Sequence, residues 1–229
     1  MKAFSDEKIV DTWFSNAQAW IEAIHKGQIQ SRIDLTNQVI IDTLTELAPD
    51  SVLDIGCGEG WLVRALCKRG IDTLGIDVVP EFIQYANNTK LGRYQILSYE
   101  QLAQGELRQT FDLVVCNFSL IGKDSVDQLF QTVPSLLKPG AFFVIQTLHP
   151  IHACGDKKYE DGWRKGSWAG FSPQFQDPAP WYFRTLETWQ NLFLHNGFEI
   201  IQIREPINPK TDQAASVIII GQLADNSTI

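Results

Sequence analysis

Residues Val52 to Gly60 read Val-Leu-Asp-Ile-Gly-Cys-Gly-Glu-Gly, an apolar run that breaks into three glycines at alternate positions, and a second apolar run, Ile71 to Ile76, closes on Asp77. Val52, Leu53 and Ile55 suit a strand buried on both faces of a parallel sheet, and the run is too short for a helix. Gly56, Gly58 and Gly60 allow positive φ and let the backbone approach a ligand closely. A helix is expected over Trp61 to Arg69, with Leu62, Val63, Leu66 and Cys67 at helical spacing, basic residues in its last turn and Gly70 as its stop. Asp77 then puts a carboxylate at the carboxyl end of the neighbouring strand, where an acid accepts hydrogen bonds from ribose hydroxyls. The whole describes a nucleoside-binding crevice. Its spacing is Gly-x-Gly-x-Gly with Asp54 two residues ahead, not the Gly-x-Gly-x-x-Gly of dinucleotide sites, and a pyrophosphate is repelled by that carboxylate.

At these residues the sequence resembles the class I S-adenosylmethionine-dependent methyltransferases, whose acid-x-Gly-x-Gly-x-Gly motif is matched by Asp54 to Gly60. The resemblance implies that the loop of Gly56, Cys57, Gly58 and Gly60 packs on the methionine part of the cofactor, that Asp54 helps bind its ammonium group, and that Asp77, with Val78 beside it, holds the ribose. A cationic amine and sulfonium suit a carboxylate-rimmed pocket. The family usually has an acid for the adenine amino group at the end of the third strand; here Ser98 stands in its place, so Ser98 or Glu100 is expected to make that contact, with Tyr99 against the purine. Asn117 matches a position at which family members touch the cofactor or acceptor.

The resemblance covers about Ile33 to Gln222 and implies a Rossmann-like α/β fold. Its sheet has seven mostly parallel strands with an antiparallel last strand inserted beside the fifth, and helices lie on both faces. The strand and helix alternation supports a parallel sheet independently. Residues 1–229 read as a single domain, with a helical cover over 1–30. Amphipathic helices are expected over Asp11 to Lys26 and Ser31 to Leu47, the second using Ile33, Val39, Ile40, Ile41 and Leu44 as its apolar positions. Trp13 and Trp20 on the first serve either as pocket wall or as helix packing. Further helices are expected over Pro80 to Asn88, Asp124 to Leu137 and Leu186 to Asn196. Strands are expected over Tyr94 to Ser98, Phe111 to Cys116, Ala141 to Thr147, Phe198 to Arg204 and Ala215 to Gln222. Lys138 to Gly140 is read as a turn, Glu205 to Gln213 as an irregular loop, and Asp225 to Ile229 as a polar tail.

The 229-residue chain has a formal charge of −8, which opposes binding to nucleic acid. No apolar stretch approaches the roughly 20 residues of a membrane span. The first residues lack an apolar leader, so a cytoplasmic protein is expected. Cys57, Cys67, Cys116 and Cys154 show no close-paired spacing, which points to no metal site and to packed thiols.

Residues 149–184 carry aromatics amid glycines and prolines with no period, and we read them as a cap over the acceptor site, with Trp163, Trp168 and Trp181 as candidate contacts. Methyl transfer from a sulfonium is an in-line displacement that rests on alignment and, for a hydroxyl or amine, on proton removal. His149, at the carboxyl end of a central strand, is the candidate general base, with His152 as a substitute. The expected partner is a small, partly apolar acceptor, and the chain is expected to be a monomer or homodimer. Two alternatives stand beside this reading: a non-catalytic S-adenosylmethionine-binding protein and a nicotinamide-dependent oxidoreductase.

Overall fold

Ser5 opens the first helix, α1 (Asp6–His25), by accepting a hydrogen bond from the Lys8 backbone N–H at 3.3 Å. The helix therefore begins five residues before the apolar spacing that announced it, because its first turn is acidic and carries only a cap signal. The computed structural model describes residues 3–224, so the tail from Asp225 to Ile229 lies outside the described residues.

The second expected helix is two pieces: a π-helical turn, Arg32–Thr36, runs into α2 (Asn37–Glu46). The wider turn shifts the helical phase, and Ile33, expected to face inward, is 54% exposed. From there strands and helices alternate: β1 (Ser51–Ile55), α3 (Trp61–Cys67), β2 (Asp72–Asp77), α4 (Pro80–Asn88), β3 (Arg93–Ile96) and α5 (Tyr99–Ala103). β4 (Phe111–Asn117) and α6 (Asp124–Thr132) follow; Pro134 turns the end of the expected helix into a 3-10 turn over Val133–Leu136. β5 (Leu137–Thr147) starts earlier than expected, absorbing the Lys138 to Gly140 turn as a register irregularity against β4.

The segment after β5 is not wholly irregular, as it contains α7 (Pro150–Cys154) and a small antiparallel pair, β6 (Gly162–Arg164) with β7 (Trp181–Phe183). Then come α8 (Leu186–His195) and β8 (Phe198–Arg204). The loop over Glu205 to Gln213 is likewise ordered in part, as β9 (Ile207–Asn208) pairs with β10 (Gln213–Ala214) before β11 (Val217–Leu223).

The main sheet has seven strands in the order β3-β2-β1-β4-β5-β11-β8, with β11 antiparallel to both its neighbours. This is the expected Rossmann-like architecture. One face packs Val52, Val115, Val144 and Ile218 under α2 and α3, and α4 joins that side through Ile83 against Val63. The other face packs Leu53, Val114, Phe143 and Ile219 under α5, α6 and α8. β3 and β8 form the edges, and the parallel core strands all end at the same side, where Asp54, Asp77 and Asn117 are carried. No helix among the described residues is long and apolar enough to cross a membrane.

Candidate functional site

β1 ends under a loop that folds back over β2: the Gly56 and Cys57 N–H groups both donate to the Ile76 carbonyl, at 2.8 and 2.9 Å. Asp77 locks this arrangement, accepting from the Gly58 N–H (2.9 Å) with one oxygen and from the Val79 N–H (3.0 Å) with the other. The three glycines do different work. A side chain on Gly56 would strike Ser119, and one on Gly60 would strike the Tyr94 ring. Gly58, at φ +54°, is the one whose missing side chain faces the cavity, 3.9 Å short of the Trp20 indole nitrogen. The sequence reading gave ligand space to all three; two of them make room for this protein's own side chains.

The resulting cavity measures about 370 Å³ and lies between the strand ends and the first half of α1. Gly56, Cys57, Gly58, Asp77, Val78, Ser98, Tyr99, Glu100 and Asn117 line it, as do Trp13 and Trp20. Gly60 does not line it, and Asp54, 1% exposed, sits behind the wall. Ser98 is already engaged as the cap of α5, accepting from the Gln101 N–H in a reciprocal capping box. The Cys57 thiol is pushed well above its ordinary range, by burial first and then by nearby carboxylates, and so packs as a neutral group.

Two residues that the sequence reading passed over, Arg32 and Glu59, join Asp54 and Asp77 in giving the cavity its charge pattern. Arg32, from the π-helical turn, lies 5.9 Å from the Trp20 ring centroid and 5.1 Å from that of Trp61. Burial pulls its guanidinium down to about 10, while Glu59 and Asp54 hold it up. Glu59, 2% exposed, pairs with Arg64 through one oxygen and leaves Oε1 without a partner. Asp54 Oδ1 is also buried without a partner, and its carboxyl is pushed up to about 8, by burial first and the Asp77 charge second. Asp77 is raised to about 6 by burial, against three backbone N–H groups that lower it. One end of the cavity is thus lined by a shielded cation, Arg32, and by Glu59, with the unpartnered Asp54 carboxyl buried behind them.

His149 does not line the cavity. The chain turns into α7 directly after β5, which buries the imidazole (3% exposed) with Nε2 2.7 Å from Glu205 Oε1. His152 is exposed and also lies off the cavity.

The aromatic segment does not roof the cavity, and Trp163, Trp168 and Trp181 are not among its lining. α1 is the roof, and the segment braces it from outside. Trp168 packs on Trp13 at 5.9 Å, and Phe171 stacks on Trp20 at 6.2 Å. Asn16, 1% exposed, donates to the Gln176 carbonyl (2.8 Å) and accepts from the Gln176 N–H (2.7 Å), and Lys8 pairs with Asp177. Trp181 packs on Phe183 in β7, and the far end of the brace is Arg184, 3% exposed, which donates to the Gly122 and Lys123 carbonyls ahead of α6. Trp163 faces a second cavity with Phe4, Glu7 and Glu100, beside the first. Asp6, on the roof helix, reaches α6 as well, accepting from the Lys123 and Ser125 N–H groups at 2.8 and 2.7 Å.

Residues 30–203 match the model of a family described as a methyltransferase domain. A ubiquinone biosynthesis O-methyltransferase of Xanthomonas euvesicatoria is 29% identical over 145 residues, covering 61% of this chain and 60% of that protein. The chain thus aligns with about three fifths of that relative's length. Among solved structures, an S-adenosylmethionine-dependent methyltransferase of Clostridium acetobutylicum superposes with a TM-score of 0.67 at 17% identity, covering 90% of this chain and 99% of that one. A 1,6-didemethyltoxoflavin-N1-methyltransferase of Burkholderia thailandensis, with bound S-adenosylhomocysteine, gives a TM-score of 0.64 at 15% identity, covering 92% of this chain and 88% of that one. At these identities the structural likeness speaks for the fold.

Proposed function

This chain belongs to the methyltransferase domain family, and on that premise we propose that it is an enzyme that binds S-adenosylmethionine in the cavity under α1 and methylates a small, partly apolar acceptor. The observation that carries the reading is the end of the cavity lined by Arg32 and Glu59, with the buried Asp54 carboxyl behind the wall and both carboxylates acting on the Arg32 charge. That pattern complements an amino acid's carboxylate and ammonium groups and is wrong for a pyrophosphate.

Each part of the cofactor then has a place suited to its chemistry. Arg32 takes the carboxylate, Glu59 the ammonium group with the Asp54 charge behind it, and Gly58 leaves space for close backbone approach. Asp77, held rigid by two backbone N–H groups, accepts from the ribose hydroxyls. Val78, Leu97 and Tyr99 offer the purine an apolar slot, with Glu100 at its rim. When bound, the cofactor supplies a methyl group on a cationic sulfur. The chain's part is to hold the acceptor in line with that group, keep water out beneath α1, and let the acceptor's proton leave as its new bond to carbon forms. No histidine lines the cavity among the described residues, so in this reading the proton goes to a wall carboxylate or to water, and His149 with Glu205 ties β5 to the β8 end. The relative is named for O-methyl transfer and one neighbour for N1-methyl transfer, so the proposed acceptor atom is oxygen or nitrogen. Four free cysteines suit a reducing compartment, which supports a cytoplasmic setting.

Calorimetric titration tests this directly. S-adenosylhomocysteine is expected to bind at micromolar concentration and NADH not to bind. Arg32→Ala is expected to weaken S-adenosylhomocysteine at least tenfold, as about 1.5–3 kcal/mol attends a hydrogen bond to a charged group. No binding of S-adenosylhomocysteine at millimolar concentration overturns the proposal.

A further inference from the structure

Beyond Asp54, the face of the sheet under α2 and α3 stops being apolar all at once. Residues two apart on a strand share a face. Asp54 follows Val52, Asn117 follows Val115, and Gln146 follows Val144, while Ser216 precedes Ile218, and all four of those apolar residues belong to the core beneath α2 and α3. Asn117 and Gln146 are partners in the β4–β5 register. A polar row therefore crosses the strand ends where a continued apolar face would be cheaper.

The π-helical turn covers this row. Gln146 Nε2 donates to the Thr36 carbonyl at 3.4 Å and to Ser216 Oγ at 2.9 Å. Thr36, Gln146 and Ser216 are 2%, 1% and 0% exposed. Yet Thr36 Oγ1, Asn117 Oδ1 and Gln146 Oε1 are all buried without a partner. Unpaired buried oxygens are costly, and native folds keep few of them. A π turn is also an uncommon element, found disproportionately at functional positions. The row borders the cavity at Asn117, which lines it as does Arg32 at the start of the π turn, while Thr36, Gln146 and Ser216 lie buried behind that wall.

We infer that this row is the acceptor end of the site, where the Thr36 hydroxyl and the Asn117 and Gln146 side-chain oxygens hold the hydrogen-bond-donating group of the methyl acceptor. Two of the unpartnered atoms, Asn117 Oδ1 and Gln146 Oε1, are amide oxygens that only accept, and the Thr36 hydroxyl can accept beside them, so the complementary group is an amine N–H or a hydroxyl O–H on an apolar body. The π turn, joined to Gln146 by a single long hydrogen bond, is the part that shifts to admit it. This inference rests on the methyltransferase reading above and adds to it a specificity device.

Phenol, aniline and toluene separate the possibilities when titrated, by ligand-observed NMR, into the protein saturated with S-adenosylhomocysteine. Phenol or aniline is expected to bind at least tenfold more tightly than toluene, which has the same ring without the donor. Gln146→Met and Thr36→Val, close in shape, are expected to erase that preference while leaving S-adenosylhomocysteine affinity within about twofold. Equal binding of the three probes, or a preference that survives both substitutions, overturns the inference and leaves the cofactor reading intact. A crystal structure showing ordered waters sealed on Thr36 and Gln146 and not displaced by phenol overturns it as well. Loss of S-adenosylhomocysteine binding by the unsubstituted protein overturns both.

Discussion

Asp54 sets the pH behaviour of the site. Its carboxyl is pushed up to about 8 by burial and by Asp77, and Asp77 itself is raised to about 6 by burial. The unfolded chain releases the same protons near pH 4, so the folded state binds more protons between those values, and stability falls as pH rises from about 4 to about 8. A bound cation favours the charged carboxylates. Binding of S-adenosylhomocysteine, through its ammonium group, should therefore expel protons and tighten as pH climbs from about 6 to about 8. Calorimetry at pH 7 in two buffers of different ionisation enthalpy reads this, and identical heats would refute it. Asp54→Asn should flatten the stability profile and stabilise the free protein at pH 8 by ~1–3 kcal/mol, while weakening the ligand at least tenfold. At this scale spacing in the sequence located Gly58 and Asp77 at the cavity, and Asp54 behind its wall. It was silent on Arg32 and Glu59, because a guanidinium held between two indoles has no local signature: Trp20 and Trp61 lie on separate helices far apart in the chain.

Between elements, the informative relation is that of α1 to the aromatic segment. Asn16 closes a reciprocal pair of hydrogen bonds with Gln176, and Trp13 and Trp20 rest against Trp168 and Phe171, so the roof of the cavity is held from its outer side. Asn16→Ala should cost ~1–3 kcal/mol locally, since it leaves the Gln176 N–H without its acceptor. The expected readout is faster hydrogen exchange across α1 and faster release of S-adenosylhomocysteine, with exchange in β1 and β4 unchanged. Uniform loss of protection throughout the chain would show instead that α1 and the sheet open as one unit. Composition revealed that residues 149–184 matter, but not which surface their aromatics meet, because an aperiodic segment gives no face to follow. The π turn was invisible for a related reason: one extra residue in a turn leaves the apolar spacing nearly intact while rotating Ile33 outward.

For the molecule as a whole, the sheet was the most legible part, since its strands are continuous apolar runs and turn residues separate them. Strand order was supplied by resemblance, as no local pattern places the last strand between two others. The core on the α6 and α8 side is an aromatic stack in which Phe143 meets Phe130 at 5.0 Å, Phe193 at 5.2 Å and Phe198 at 5.5 Å. Phe143→Ala should cost about 3–5 kcal/mol in urea unfolding, with S-adenosylhomocysteine affinity little changed in the fraction that stays folded. A loss under 1 kcal/mol would mean that the neighbouring rings collapse into the gap. The position of β11 has a consequence for how the chain is made. β8 is hydrogen-bonded in the sheet to β11 alone, and β11 stands between it and β5. During vectorial synthesis β8 leaves the ribosome before the strand that attaches it, and β5 waits with one edge bare, so the nascent chain cannot complete its sheet until residues 217–223 clear the exit tunnel.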